Sequence, residues 1–167
     1  GGDRARVVAR GRTVRCSSIV VATNSPVNDL VAVHTKQAGY MTYLIGARIP
    51  PGSVTSALYW DTDSPYHYVR VIGGGGEGAP HDILLVGGED HRSGQDPDPR
   101  DRYALIEQWA RERFPMMTDV DYCWGGQVME PVDGLAFIGR NPLDQENVYV
   151  ATGDSGQGLT HGTIAGM

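Results

Sequence analysis

The sequence is poor in the features that would force a special environment on the protein. It has two cysteines, Cys16 and Cys123, far apart and without C-x-x-C spacing. That excludes a disulfide framework and favours a reducing compartment, with one Cys16–Cys123 bridge as the alternative. No apolar run approaches the roughly 18 residues of a spanning helix, and no basic-then-apolar leader opens the chain. A soluble, cytoplasmic protein with no membrane partner is the expectation. Excess positive charge is missing as well: 14 Lys and Arg stand against 20 Asp and Glu, for a formal charge of -6. A nucleic acid would therefore find no electrostatic footprint. His34, His81 and His161 lie at no metal-ligand spacing with Cys or acidic residues, so no metal site is expected.

What remains is an ordinary globular composition with many punctuating residues. A chain of 167 residues can bury its own core. With 40% apolar residues, 23 Gly and 10 Pro, it reads as strand-rich with frequent turns. It opens on Gly1-Gly2 without an initiator Met and stops in "HGTIAGM" before any helix stop signal. The expectation is a piece of a longer protein.

Hydrophobic periodicity places the elements. "RARVVARGRTVR" alternates charged and apolar residues around Gly11, as a hairpin does, and "SSIVVATN" carries an apolar run suited to a strand buried on both faces. After Pro26 a loop, with a turn of helix, reaches about Leu30. "KQAGYMTYLIGARI" reads as a long strand stopped by Pro50-Pro51-Gly52, and "SALYWDTDSPYHYVRVI" as two strands joined at Asp61 to Pro65. Residues 73 to 80 form a glycine-rich loop, and "HDILLVGGED" is a further strand meeting a Gly pair. Tyr103 to Phe114 has helical spacing at Leu105, Ile106, Trp109, Ala110 and Phe114, ends at Pro115, and is preceded by a polar, Pro-rich lead. "VDYCWGGQVM", the end of "EPVDGLAFIGRNP" and "NVYVATG" are read as strands, the last as a second buried run. The fold class is α+β: a mostly antiparallel or mixed sheet with one clear helix.

The segment "NVYVATGDSGQGLTHGTIAG" is a strand, a Gly-rich turn and a helix start, which aims backbone N–H groups and the positive end of a helix dipole at one spot. Gly153, Gly156 and Gly158 would let a flat or anionic ligand approach, while Asp154 could accept from ligand hydroxyls. The alternative is a structural turn in which Asp154 or Ser155 caps the helix.

Several segments, in order, resemble the carboxyl-terminal half of the FAD-dependent amine and amino-acid oxidoreductases of the glycine oxidase and D-amino-acid oxidase superfamily. "IVVATNSPVND" resembles the strand that returns the chain to the flavin domain. "YCWGGQVMEPVDGLAFIGRNP" resembles the family's W-x-G-x-x-P-x-x-D-G-x-P-x-I-G segment, and "NVYVATGDSGQGLTHGTIAGM" its last strand, turn and helix. "ALYWDTDSPYHYVR" and "LLVGGEDH" resemble a subgroup often followed by a Rieske domain. The resemblance implies partial FAD-binding pieces at 1–30 and 136–167 around a substrate-binding domain at 31–135. It also implies flavin contacts from Thr23, Gly153, Asp154, Ser155, Gly156, Gln157, Gly158, Leu159 and Thr160. The backbone from Gly156 to Leu159 would face the flavin's pyrimidine oxygen, and no protein nucleophile is required.

Two departures qualify the expected activity. The family's G-x-G-x-x-G anchor for the ADP end of FAD is missing, because "GGGGEG" follows "YVRVI" and leads into "APHDILL" rather than a helix. This chain alone is thus expected to bind little or no FAD and to be inactive, with any Rieske [2Fe-2S] cluster in a domain beyond residue 167. The arginine that commonly clamps a substrate carboxylate near the W-x-G-x-x-P segment is also missing, since that stretch reads "WGGQVMEP". Tyr40, His67, Tyr68, Arg70, His91 and Gln127, with Lys36 and Tyr43, remain as candidates for a polar substrate pocket. The expected activity is oxidation of a small amine or amino-acid-like substrate by hydride transfer to FAD. The alternative is a non-enzymatic module binding a small ligand or a protein. Removal of half of a two-domain fold would also expose apolar edges through which copies self-associate.

Overall fold

The computed structural model describes residues 1–28, 32–73, 80–95 and 98–167. The end of the loop expected after Pro26 and most of the glycine-rich loop lie outside the described residues. Along the chain run β1 (Arg6–Ala9), β2 (Arg12–Arg15), β3 (Ile19–Val21), β4 (Gln37–Ile49), β5 (Leu58–Trp60), β6 (His67–Ile72), β7 (Asp82–Arg92), α1 (Pro99–Arg113), β8 (Val120–Pro131), β9 (Phe137–Arg140), β10 (Val148–Thr152) and α2 (Gly158–Gly166). The fold is α+β and dominated by sheet. The chain divides into two compact units, one of residues 1–39 and 128–167, the other of residues 40–127. The divisions fall within β4 and β8, whereas the sequence reading put its boundaries in the neighbouring loops, at 30/31 and 135/136.

The unit of residues 40–127 holds a sheet in the order β5-β6-β7-β4-β8. The β5–β6, β6–β7 and β7–β4 pairings are antiparallel. Strand alternation sends Tyr43, Ile45, Ala47 and Ile49 of β4 to one face, together with Val69, Leu84 and Val86. There they meet Ile106 and Ala110 of α1 in a single buried cluster. Each of the larger aliphatic side chains contributes about 1.5–3 kcal/mol through burial. Helix α1 begins four residues before the periodic apolar pattern. Asp98 is its N-cap and accepts from the Arg100 backbone N–H at 3.0 Å, so the polar lead supplies the first turn. The Gly87-Gly88 pair marks a register shift between β4 and β7. Gly88 has φ +147°, and a Cβ there would lie 2.4 Å from the Tyr66 carbonyl oxygen. Only glycine fits that position.

In the other unit β10 lies between β3, to which it is parallel, and β9, to which it is antiparallel. The hairpin β1–β2 turns at Arg10-Gly11 with all eight strand residues exposed. Val21, Val148 and Val150 are buried. Their neighbours Val20 and Tyr149, cross-strand partners, are 65% and 37% exposed. The two-sided burial expected for "IVV" and "NVYVATG" is therefore corrected to burial on one face. Period-two alternation puts Val20, Tyr149 and Ile138 on the other face, where Val20 is mostly exposed and Tyr149 and Ile138 are partly exposed.

Candidate functional site

The carboxyl end of β10 is tied down at several points before the chain turns. Gln37 Nε2 donates to Thr152 Oγ1 at 3.3 Å, and the Thr152 hydroxyl donates to the Asn24 carbonyl oxygen in a short contact. Gly153 follows at φ +72°, where a Cβ would sit 3.1 Å from Gln37 Oε1 and 3.4 Å from Pro131 Cγ. Ser155 (φ +49°) and Gly156 (φ +75°) are also left-handed. The Ser155 N–H donates to the Met129 carbonyl at 3.2 Å, and its hydroxyl donates to Glu130 Oε2 in a short contact. The backbone thereby turns sharply enough to start α2 at Gly158.

No side chain caps that helix. The N-cap is Gln157, which makes no side-chain cap hydrogen bond, while Ser155 is committed to Glu130 and the Asp154 carbonyl accepts from Gln157 N–H at 2.8 Å. Neither Asp154 nor Ser155 supplies a side-chain cap hydrogen bond to α2. The first-turn amides of α2 have no intrahelical acceptor, and the Asp154 carboxylate lies beside Gly158, with Oδ2 2.8 Å from where a Cβ would sit. Leu159 is 93% exposed, and Gly156, Gln157, Gly158 and Thr160 are exposed with it. A cavity of about 280 Å³ adjoins the turn, lined in part by Asn24, Ile138, Thr152, Asp154 and His161. The turn thus combines a backbone open to close approach, a helix start without a side-chain cap and a cavity of mixed polar and apolar lining. Thr23 does not line this cavity; its hydroxyl donates to the Ser25 carbonyl at 2.8 Å.

In the unit of residues 40–127 the structure separates the substrate candidates. Tyr68 and Arg70 point away from α1, to the side where Leu58 is the cross-strand partner of Arg70 and Trp60 that of Tyr68. The Tyr68 ring lies across Gly87, where a Cβ would sit 2.3 Å from it. Its hydroxyl is 3.4 Å from Thr42 Oγ1, and burial raises its pKa above the usual tyrosine value, against a lowering by Thr42, so it stays neutral. Arg70 is exposed and has no ion-pair partner among the described residues. Trp60 is 71% exposed and Tyr122 packs over Gly46, so this face carries exposed aromatic side chains as well as Arg70.

His67 and His91 lie on the opposite side. His67 is buried, with Nδ1 3.0 Å from Asp61 Oδ2, and Nε2 3.3 Å from Glu89 Oε1 without hydrogen-bond alignment. Its ring stacks on Trp109 of α1 at 4.4 Å, and Arg113 covers the Trp109 ring at 4.2 Å. His91 stacks on Tyr43 at 5.6 Å, which in turn meets Tyr103 edge-on. Both histidines pack against the core. Gln127 donates to Ser93 Oγ at 3.0 Å, and Tyr40 is half-buried at the start of the unit. Among the described residues Asp61, Asp63 and His67 bring ligand-type atoms within 4.8 Å of one another. Asp61 already accepts from the His67 and Asp63 amides and faces His67 Nδ1, so this cluster clamps the β5–β6 loop.

Sequence reasoning missed Gln37, Thr152 and Glu130, which hold the glycine turn. A lone polar residue on an apolar strand end was the available signal, and it does not reveal a partner some 25 or 115 residues away. Both cysteines are free thiols. Among the described residues no helix is long and apolar enough to cross a membrane.

The fold has counterparts among known proteins. The Bacillus subtilis (strain 168) protein YhfW, named as a Rieske 2Fe-2S iron-sulfur protein, is 24% identical over 166 residues, 98% of this chain and 31% of its own length. NikD, an amino acid oxidase of nikkomycin biosynthesis, shares the fold at a TM-score of 0.72 and 16% identity, over 99% of this chain and 47% of its own. Glycine oxidase from Geobacillus kaustophilus gives 0.66 at 16% identity, over 94% of this chain and 41% of its own. Iminodiacetate oxidase from Chelativorans sp. BNC1 gives 0.67 at 16% identity, over 99% and 45%. The chain thus spans about a third of the curated relative and under half of each solved structure. Its whole described length, residues 1–167, matches the FAD dependent oxidoreductase family DAO, and the chain belongs to that family.

Proposed function

We propose that this chain supplies the flavin-covering turn and the substrate-facing sheet of an oxidoreductase acting on a small amine or amino acid in the cytoplasm. The observation that carries the reading is the uncapped start of α2 behind the left-handed Gly153, Ser155 and Gly156. Gly156 to Leu159 would hold the pyrimidine edge of FAD with backbone amides, and Gly153 would let the backbone lie close to it. FAD, when bound, supplies acceptance of a hydride from the carbon bearing the amine. The chain's own residues bind and orient the substrate. Arg70 pairs with a substrate carboxylate, and Tyr68 offers a neutral hydroxyl. In this reading residues 1–39 and 128–167 belong to the FAD-binding part, and residues 40–127 to the substrate-binding part.

The test is to purify the whole polypeptide that contains this chain and titrate it with amino acids and with the matching amines that lack a carboxylate. Flavin absorbance that bleaches with the amino acids supports the reading. Arg70→Ala should then raise KM for the amino acids by about tenfold or more and leave the amines little changed. A whole protein without flavin would overturn it. The chain by itself, without a G-x-G-x-x-G segment, should show no melting-temperature shift with added FAD and no activity. The exposed Val20, with the partly exposed Tyr149 and Ile138 beside it, also supports self-association of the isolated chain. Sedimentation should show a concentration-dependent dimer that Val20→Lys abolishes, and a strict monomer would overturn that point.

A further inference from the structure

We infer that Glu130 is a positioning residue for the glycine turn, acting through Ser155 on the direction of the amides that follow. This deepens the flavin-facing reading above and rests on it. Three consecutive residues at the end of β8 each fix one point of the turn. The Met129 carbonyl accepts the Ser155 N–H at 3.2 Å, the Glu130 carboxylate accepts the Ser155 hydroxyl, and Pro131 lies under Gly153. Met129 and Pro131 are buried and apolar, so packing accounts for them. Glu130 is half-buried and has no ion-pair partner among the described residues, so charge pairing does not account for it.

Its hydrogen-bond partner is a non-glycine residue held at φ +49°, a conformation that costs an L side chain free energy and must be fixed from outside. A Ser155 hydroxyl without that acceptor would be free to leave the turn, and the backbone that enters α2 through Gln157 would lose that constraint. By engaging that hydroxyl, Glu130 keeps Ser155 in the left-handed region and so fixes the direction of the amides that follow.

The experiment compares wild type with Glu130→Ala, Glu130→Gln and Ser155→Ala. Hydrogen exchange of residues 153–160 is measured in the 167-residue chain, and flavin affinity and visible spectrum in the whole protein. Glu130→Ala and Ser155→Ala should speed exchange of the Ser155 amide by about tenfold, the loss of roughly one hydrogen bond. Glu130→Gln, which keeps an acceptor oxygen, should stay within about twofold of wild type, and its survival keeps the test valid if the alanine variant does not fold. In the whole protein Glu130→Ala should weaken flavin binding by about tenfold and shift its spectrum, with Glu130→Gln restoring both. Unchanged exchange in a folded Glu130→Ala, or fast exchange in Glu130→Gln, overturns the positioning role. Faster exchange with unmoved flavin affinity and spectrum leaves the hold on Ser155 standing and overturns the flavin-facing reading.

Discussion

The two units solve the same problem, burying a sheet, to different degrees. In residues 40–127 the sheet lays Ile45, Ile49, Leu84 and Val86 against Ile106 and Ala110 of its own helix, and the core closes within the unit. In residues 1–39 and 128–167 the sheet buries Val21, Val148 and Val150 but leaves Val20 mostly exposed and Tyr149 and Ile138 partly so, with Leu159 and Ile164 exposed on α2. Apolar residues on both faces of a sheet mark strands meant to be covered twice. The first unit therefore closes its core against its own helix, whereas the second leaves more of its apolar side chains exposed.

The comparison breaks most sharply in the cores. Leu84→Ala or Ile106→Ala should each cost about 2–5 kcal/mol by leaving a cavity, while Val20→Ser should stay within about 0.5 kcal/mol. Urea unfolding of each variant measures this, and a costly Val20→Ser would show that its face is covered after all. The glycines give the next effect. Gly88→Ala must adopt a positive φ and also collide with the Tyr66 carbonyl, so it should lose about 3 kcal/mol or more. Gly153→Ala meets side-chain atoms of Gln37, Pro131 and Phe137 rather than backbone and should cost about 1–2 kcal/mol. Thermal melts rank the two, and the reverse order would place the tighter backbone approach in the turn.

The smallest effect is a pH dependence. Burial pushes the Asp61 carboxyl up, but hydrogen bonds from the His67 and Asp63 amides and the His67 ring outweigh it, and its pKa is lowered in the fold. A depressed folded pKa adds stability above the unfolded value of 3.8, and that stability fades as pH falls through the lower folded value. Asp144 is lowered likewise, first by the Gln145 amide and then by Asn141 and Asn28. Asp61→Asn should flatten the acid limb of stability for residues 40–127, and Asp144→Asn that of the other unit. Acid titration followed by Trp fluorescence reads the Asp61 change, because Trp60, Trp109 and Trp124 all lie in the unit of residues 40–127. An unaltered acid limb in Asp61→Asn would show that the β5–β6 loop does not depend on the clamp.

Most strands were readable from local pattern, because alternation and turn residues act within a few positions: β1–β2 from charge alternation, β4 from its length and Pro50, α1 from its spacing. The family segments at 19–29, 122–142 and 147–167 were readable for the same reason, as short runs with fixed turn chemistry. The partners were not. His67 sits one residue from Tyr68 in sequence, yet the pleat sends it to the buried side against Trp109, and Tyr68 to the side carrying Arg70. The early start of α1 followed from a cap at Asp98 that a count of apolar residues overlooks.

The sequence by itself determined the element types, the family and the position of the glycine turn, all of which depend on interactions between near neighbours. Only the tertiary structure decided which sheet face stays open, which histidines are buried and which side chain holds Ser155. Those outcomes depend on contacts such as Glu130 with Ser155 and Gln37 with Thr152, between residues that only the folded chain brings together.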